Sequence, residues 1–532
     1  MVKERSGPNS KYLFFITLTA AFGGFLFGYD TAVISGTIGF VKSKFELDSV
    51  MEGWFVSSAL LGCIIGVSMA GEISDRFGRK TSLIISGFLF SISAIGCALS
   101  ATHAELIIYR LIGGVGVGVA SMLSPLYISE VSPPKIRGRM VALYQFSITI
   151  GILLAYFGNA YLLKQSAILD LRPGSTFEQV MVSEVWRAMF GSEAIPALLF
   201  FFAMFFVPES PRWFASKDKN SKALNVLATI NGKEKAEVEL ESIKLAIEKE
   251  ESGSWAVLFH KGIRVALLTG IALAILSQFT GINAIIYYGP RIMEDAGLKL
   301  SDALGGQVII GFVNVAATVY AIMKIDQFGR KKLMLGGITG MFISLLAVGI
   351  LFLLEKTSGI LIMTFILTFI TSFAIGYGPV IWVLLAEIYP TKIRGRAMSV
   401  ATLAIWVGTA IIGQIVPWML DTLTPAGTFF VFAICCIPVP FILKKVPETK
   451  GLALEDKIYQ IQDYFNTLTF EHENAFRKYL STVMVLDPSE VKRGARRPKA
   501  LKLILDDTDL NPVDKINLAN LFTLMMGLEP VV

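Results

Sequence analysis

The segment EVSPPKIRGR, residues 130–139, returns as EIYPTKIRGR at residues 387–396. DRFGRK (75–80) likewise returns as DQFGRK (326–331), and VPES (207–210) as VPET (446–449). The second copies begin 257, 251 and 239 residues after the first, in the same order. Three ordered pairs at similar spacings mark a duplicated unit. The chain therefore divides into two similar halves, and everything between the motifs has to fit that repeat.

What lies between them is apolar. Of the 532 residues, 54% are hydrophobic and 17% charged, with a mean hydropathy of +0.62, against about 25% charge in a soluble domain. Apolar runs fall at about 12–38, 53–73, 81–101, 106–129, 140–163, 187–207, 264–289, 304–324, 333–354, 360–388, 397–420 and 427–444, each near the roughly 20 helical residues that cross a bilayer core. The fold class is an all-α membrane protein of twelve transmembrane helices. The first run shows no cleavage site of a secretory signal.

Lys and Arg crowd alternate connections: 75–80, 133–139, the long 211–263 segment, 327–332 and 391–396. The intervening loops are short and poor in positive charge. The positive-inside rule puts the crowded loops and both termini in the cytoplasm of a cell-membrane protein. The division that follows is a six-helix half (1–210), a cytoplasmic linker with intracellular helices (211–263), a second half (264–451) and a cytoplasmic helical tail (452–532). Parallel repeats of this kind hold a substrate site between the halves, near the midplane, and rock about it.

The repeated loops also carry acids. Asp75, Arg79, Glu130, Arg137 and Glu209 in the first half match Asp326, Arg330, Glu387, Arg394 and Glu448 in the second. Basic residues alone can serve topology, but acids add little to it. The matched Glu130/Arg137 and Glu387/Arg394 pairs read as a gating network whose carboxylate–guanidinium links would join the halves and hold one face shut.

In the first half, GGFLFGYDTAVISG (23–36) places Asp30 in the middle of an otherwise uncharged stretch from Tyr12 to Val41. An ionised Asp at the bilayer centre costs about 2.5–3.5 kcal/mol. Arg110, in IIYRLIGGVGVG, reads as the one other ionisable residue deep in a helix of that half, and an opposite charge relieves the cost. A carboxylate that alternates between pairing with arginine and holding a proton is a proton carrier. Cys63, Cys97, Cys435 and Cys436 lie in apolar runs without metal-ligand spacing, and no nucleophile–base arrangement appears. An enzyme, a metal site and a nucleic-acid partner are not indicated.

With these residues in view, the chain resembles the sugar porters of the major facilitator superfamily. The resemblance rests on GGFLFGYDTAVISG, the two GRK turns, PESPRW (208–213), QFTGINAIIYYGP (278–290), YGPVIWVLLAEIYPTKIRGR (377–396) and PETKG (447–451). It spans residues 1 to about 460, with motifs most like those of bacterial proton–xylose symporters. It implies proton-coupled monosaccharide transport in the bilayer by a monomer, with no cofactor besides the proton, and Asp30 as the coupling carboxylate with Arg110 as partner. It also implies that Gln145, Gln278, Asn283, Tyr287, Asn314, Trp382 and Trp406 hydrogen-bond to or stack on the sugar. Three positions depart from the family. Ser277-Gln278 replaces a Gln-Gln pair, Ile152 stands where xylose symporters have glutamine, and Ile405 replaces a polar residue beside Trp406; a changed hydrogen bond here changes selection among sugars. A facilitative uniporter or a sugar sensor signalling through the tail are the alternatives; Asp30 argues against the first and both loop networks against the second.

Overall fold

The computed structural model describes residues 10–133, 136–250, 261–355, 359–389, 394–444 and 446. Among the described residues, twelve helices are long and apolar enough to cross a membrane. They are α1 (Ser10–Gly36), α2 (Ser49–Phe77), α3 (Arg79–Leu99), α4 (His103–Val131), α5 (Arg137–Ser166), α6 (Trp186–Phe206), α7 (Ile263–Asp295), α8 (Leu300–Ile325), α9 (Arg330–Leu353), α10 (Gly359–Leu385), α11 (Gly395–Thr422) and α12 (Thr424–Lys444). Each matches one apolar run to within a few residues. Among the described residues there is no strand. The tail reading for 452–532 lies outside the described residues.

Helix starts follow local chemistry. Asp48 caps α2 by accepting from the Met51 N–H, and Thr102 with Glu105 forms a reciprocal capping box at α4, which satisfies N–H groups that a helix start leaves without partners. Close packing comes from small residues, as membrane helices require. At Gly114 on α4 an added Cβ would sit 1.9 Å from the Ala59 carbonyl oxygen of α2, so α2 and α4 can touch backbone to backbone only with glycine there.

The first six helices meet the last six along two principal seams, α2 against α11 and α5 against α8. Between the two sets, helices Pro211–Ser216, Asn220–Asn231 and Lys233–Glu250 pack into a small apolar core of Ala215, Ala223, Leu227, Ala236 and Leu240.

Two breaks matter for the site. In α7 the chain stops being helical after Phe279 and restarts at Ile282, across Gly281 with φ 87°, a left-handed conformation that glycine adopts without penalty. In α10, residues Phe373–Tyr377 form a π-helical turn, a form that recurs at functional positions.

Candidate functional site

Asp30 and Arg110 are both buried and face each other, with Arg110 Nη1 3.6 Å from Asp30 Oδ1. That separation is an ion pair without a short hydrogen bond. The pair lines a narrow cleft together with Thr31, Cys63, Tyr287 and Trp406. Residues from α1, α2 and α4 thus meet residues from α7 and α11, at the junction of the two helix sets. Phe27 packs against Trp406 with ring centroids 5.3 Å apart.

A second group of polar side chains gathers around the α7 break. Gln278 Nε2 donates to Ser277 Oγ at 2.8 Å, while Gln278 Oε1 accepts from Asn283 Nδ2 at 2.6 Å and from Thr409 Oγ1 at 3.0 Å. The interruption at Gly281 is what lets Asn283 reach back to Gln278. Thr409, on α11, was not anticipated. Its signal in the sequence was only a threonine three residues after Trp406, one helical turn on.

The remaining expected sugar ligands are dispersed. Ile152 is buried on α5, Gln145 and Asn314 are half-buried, and Trp382 is 37% exposed. Among the described residues, none of these side chains joins the Gln278 cluster through a hydrogen bond. The structure therefore brings together Asp30, Arg110, Tyr287 and Trp406, and separately Ser277, Gln278 and Asn283.

One expectation is corrected. Asp30 and Arg110 are not the only ionisable residues deep in the first six helices: Glu193 on α6 is 3% exposed and Glu52 on α2 is buried completely. Glu193 is an electrostatic neighbour of both Asp30 and Arg110. It escaped notice because it falls within two turns of the helix start, where a carboxylate reads as solvated. Glu52 is paired, accepting from Lys42 Nζ at 2.7 Å and from Arg291 Nη1 of α7 at 2.8 Å; Arg291 also pairs with Asp421 of α11.

Among the described residues, the loop charges form the following ion pairs. Glu130 binds Arg79, with Nε to Oε2 at 3.1 Å, and accepts from Ser210 Oγ at 2.5 Å. Asp75 binds Arg79 at 3.0 Å, and Arg330 binds Glu387 at 3.3 Å. Every one of these pairs lies within one set of six helices. Arg137 is exposed and is an electrostatic neighbour of Glu239 in the linker. The GRK turn brings Arg79 to the carboxylate that ends α4. Glu209 accepts backbone N–H bonds from Arg79, Lys80 and Ser210 at 2.8–3.1 Å, which anchors it on the start of α3. Burial pushes its carboxyl above the ordinary value, against those bonds and the Arg79 charge. The side chains of Asp326 and Arg394, and Glu448 altogether, lie outside the described residues.

At the opposite end, polar contacts do cross between the sets. Besides Glu52–Arg291, Ser57 Oγ donates to Gln414 Oε1 at 2.7 Å, and Gln414 Nε2 donates to the Val50 carbonyl at 3.0 Å.

Comparison with known proteins agrees with this architecture. Residues 16–459 match the family described as sugar (and other) transporter. The arabinose–proton symporter of Bacillus subtilis is 42% identical over 446 residues, covering 84% of this chain and 94% of that protein. The D-xylose–proton symporter of Escherichia coli is 38% identical over 484 residues, covering 84% and 95%. Among solved structures, the xylose transporter of E. coli in a partially occluded inward-open conformation superposes with a TM-score of 0.72 at 37% identity, covering 84% of this chain and all of that one.

Proposed function

This chain belongs to the sugar transporter family, a multi-pass membrane protein of the major facilitator fold and a carrier, not an enzyme; on that premise we propose that it is a proton-coupled monosaccharide symporter. It takes a pentose or hexose by alternating access, with Asp30 as the proton carrier and Arg110 as its partner. The observation that carries this reading is the shared cleft. Asp30 and Arg110 line the same space as Tyr287 and Trp406, so a proton on Asp30 and a sugar against the aromatic faces act on one another at short range.

The cycle follows from the charges. Ionised Asp30 is held by Arg110; a proton neutralises it and weakens that hold, which frees α1 to move relative to α4. Sugar bound between the helix sets draws α7 and α11 toward α1. In the conformation described here the contacts of Glu52, Arg291, Ser57 and Gln414 close the end opposite the GRK turns. With the basic loops in the cytoplasm, that closed end is the outer one. The protein works as a monomer in the cell membrane with both termini inside, and it uses no cofactor beyond the coupling proton.

Proteoliposome uptake tests this. A panel of labelled arabinose, D-xylose, glucose and inositol should show one or more sugars concentrated only when an inward proton gradient is imposed. One charge crossing 100 mV supplies about 2.3 kcal/mol, and about 1.4 kcal/mol is a tenfold ratio, so one proton per sugar sustains roughly fiftyfold accumulation. Asp30→Asn should abolish accumulation while exchange between preloaded vesicles persists. Accumulation by Asp30→Asn vesicles at the parent level would overturn the assignment.

A further inference from the structure

The nearest directed contacts of the Arg110 guanidinium are not with Asp30. Its Cζ lies 5.6 Å from the ring centroid of Phe55 on α2 and 5.5 Å from that of Phe190 on α6. The two rings stand 6.2 Å apart at 88° to one another. Arg110 Nε donates to the Phe55 carbonyl oxygen at 3.3 Å, shorter than the 3.6 Å that separates Nη1 from Asp30. Phe55, Phe190 and Arg110 are all buried.

This arrangement answers a difficulty in the proposed cycle. Arginine stays charged throughout. When Asp30 takes up a proton, the guanidinium loses its carboxylate partner while buried, and an unpaired buried charge is costly. The negative faces of aromatic rings attract a cation, most strongly where water is excluded. Phe55 and Phe190 supply two such faces, and the Phe55 carbonyl supplies an acceptor. None of the three titrates.

We propose that Phe55 and Phe190 form an aromatic clamp that holds Arg110 charged and in place whichever protonation state Asp30 is in. The clamp ties Arg110 to α2 and α6 as well as to its own α4, so Asp30 on α1 is the partner that moves. Phe55 and Phe190 are positioning residues, since they act on Asp30 through Arg110. The inference rests on the reading of Asp30 as the coupling carboxylate. The other titratable groups facing this pair are Cys63 on α2, Cys97 on α3, Glu193 on α6, and Tyr287 and Tyr288 on α7.

The test needs a variant that keeps the ring's shape and removes its negative face. Incorporating 3,4,5-trifluorophenylalanine at position 190 does so, with Phe190→Tyr as the variant that retains the face. Protonation of Asp30 is followed by difference infrared spectroscopy of the full chain in lipid vesicles, as the carboxyl band that Asp30→Asn removes. Counterflow of labelled D-xylose between preloaded vesicles reports that the protein is folded. With the clamp weakened, Arg110 leans harder on the ionised carboxylate. The trifluoro protein should then need about tenfold more protons for half-protonation, a midpoint one pH unit lower, with the Tyr variant matching the parent. A trifluoro midpoint that does not move, or a Tyr midpoint that moves as far, overturns the clamp. Absence of any Asp30 band in the parent overturns the coupling role of Asp30 itself.

Discussion

Arg291 of α7 reaches across the junction of the two helix sets to Glu52 of α2, closing a 2.8 Å ion pair on a carboxylate that has no exposed surface. Lys42 and Asp421 complete the chain of charges. An acid this deeply buried is costly once its partners leave, so opening that end requires water to replace them.

Glu52→Gln should therefore favour the conformation open at the outer end. Cys63 lines the cleft, so a protein with Cys97, Cys435 and Cys436 replaced by Ala carries its own reporter. A membrane-impermeant thiol reagent added outside should label Cys63 several-fold faster in the Glu52→Gln background. Equal labelling rates would show that the ion pair does not hold this end.

The Gln278 amide is held from three sides, by Ser277, Asn283 and Thr409. Its orientation decides which hydroxyl a sugar can present to it. Thr409→Val keeps the volume and removes the donor, and should weaken sugar binding about tenfold, the cost of roughly one hydrogen bond to a buried amide. Thr409→Ser should restore it. Calorimetry giving parent affinity for Thr409→Val would remove Thr409 from the site.

Position 152 is the sharpest test of selectivity. Ile152 is buried on α5, and Ile152→Gln adds a donor and an acceptor there. The relative uptake of D-xylose over glucose should rise about tenfold or more. An unchanged ranking of sugars would mean that this position does not face the substrate.

Glu130 and Arg79 form a half-buried pair within the first six helices. Glu130→Gln should weaken the hold on Arg79, which keeps Asp75 and the Ser74 carbonyl, and lower stability by about 1.5 kcal/mol, seen as an earlier loss of monodisperse protein on heating in detergent. Arg137→Gln, at an exposed position, should change it by no more than about 0.5 kcal/mol. Similar losses for both would mean that the loop motif acts as one network after all.

Outside the membrane-spanning segments, Glu184 provides a pH-dependent contact. Burial works to raise its carboxyl, but the hydrogen bonds and charges of Lys44 and Arg187 outweigh it and hold the group below its ordinary value of 4.5. A carboxyl depressed in the folded state contributes stability above its ordinary value, and that contribution is lost as pH falls through the depressed value. Glu184→Gln should flatten the acid limb of the stability curve below about pH 4.5 and leave the neutral region less stable than the parent. A parallel acid limb in both proteins would count against the contact.

Much of this protein is determined by sequence alone, because a bilayer imposes strict terms. Continuous apolar runs near twenty residues must be helices, since lipid admits only helices and closed barrels and a barrel strand needs only about ten residues. The placement of Lys and Arg orients them, and the three repeated motifs declare the duplication. Asp30 and Arg110 stood out for the same reason: a charge in an apolar run needs a partner. What the tertiary structure decided is which charges and amides meet. Arg79, not Arg137, takes Glu130, because a turn between α2 and α3 delivers it to the end of α4. Glu52 and Arg291 look like ordinary helix-end charges until α2 and α7 are packed together. Thr409 joins Gln278 only because α11 lies beside the broken α7, and Phe55 and Phe190 reach Arg110 only where α2, α4 and α6 converge. Each is a contact between residues far apart in the chain, set by helix packing, and periodicity along one helix carries no record of its neighbours.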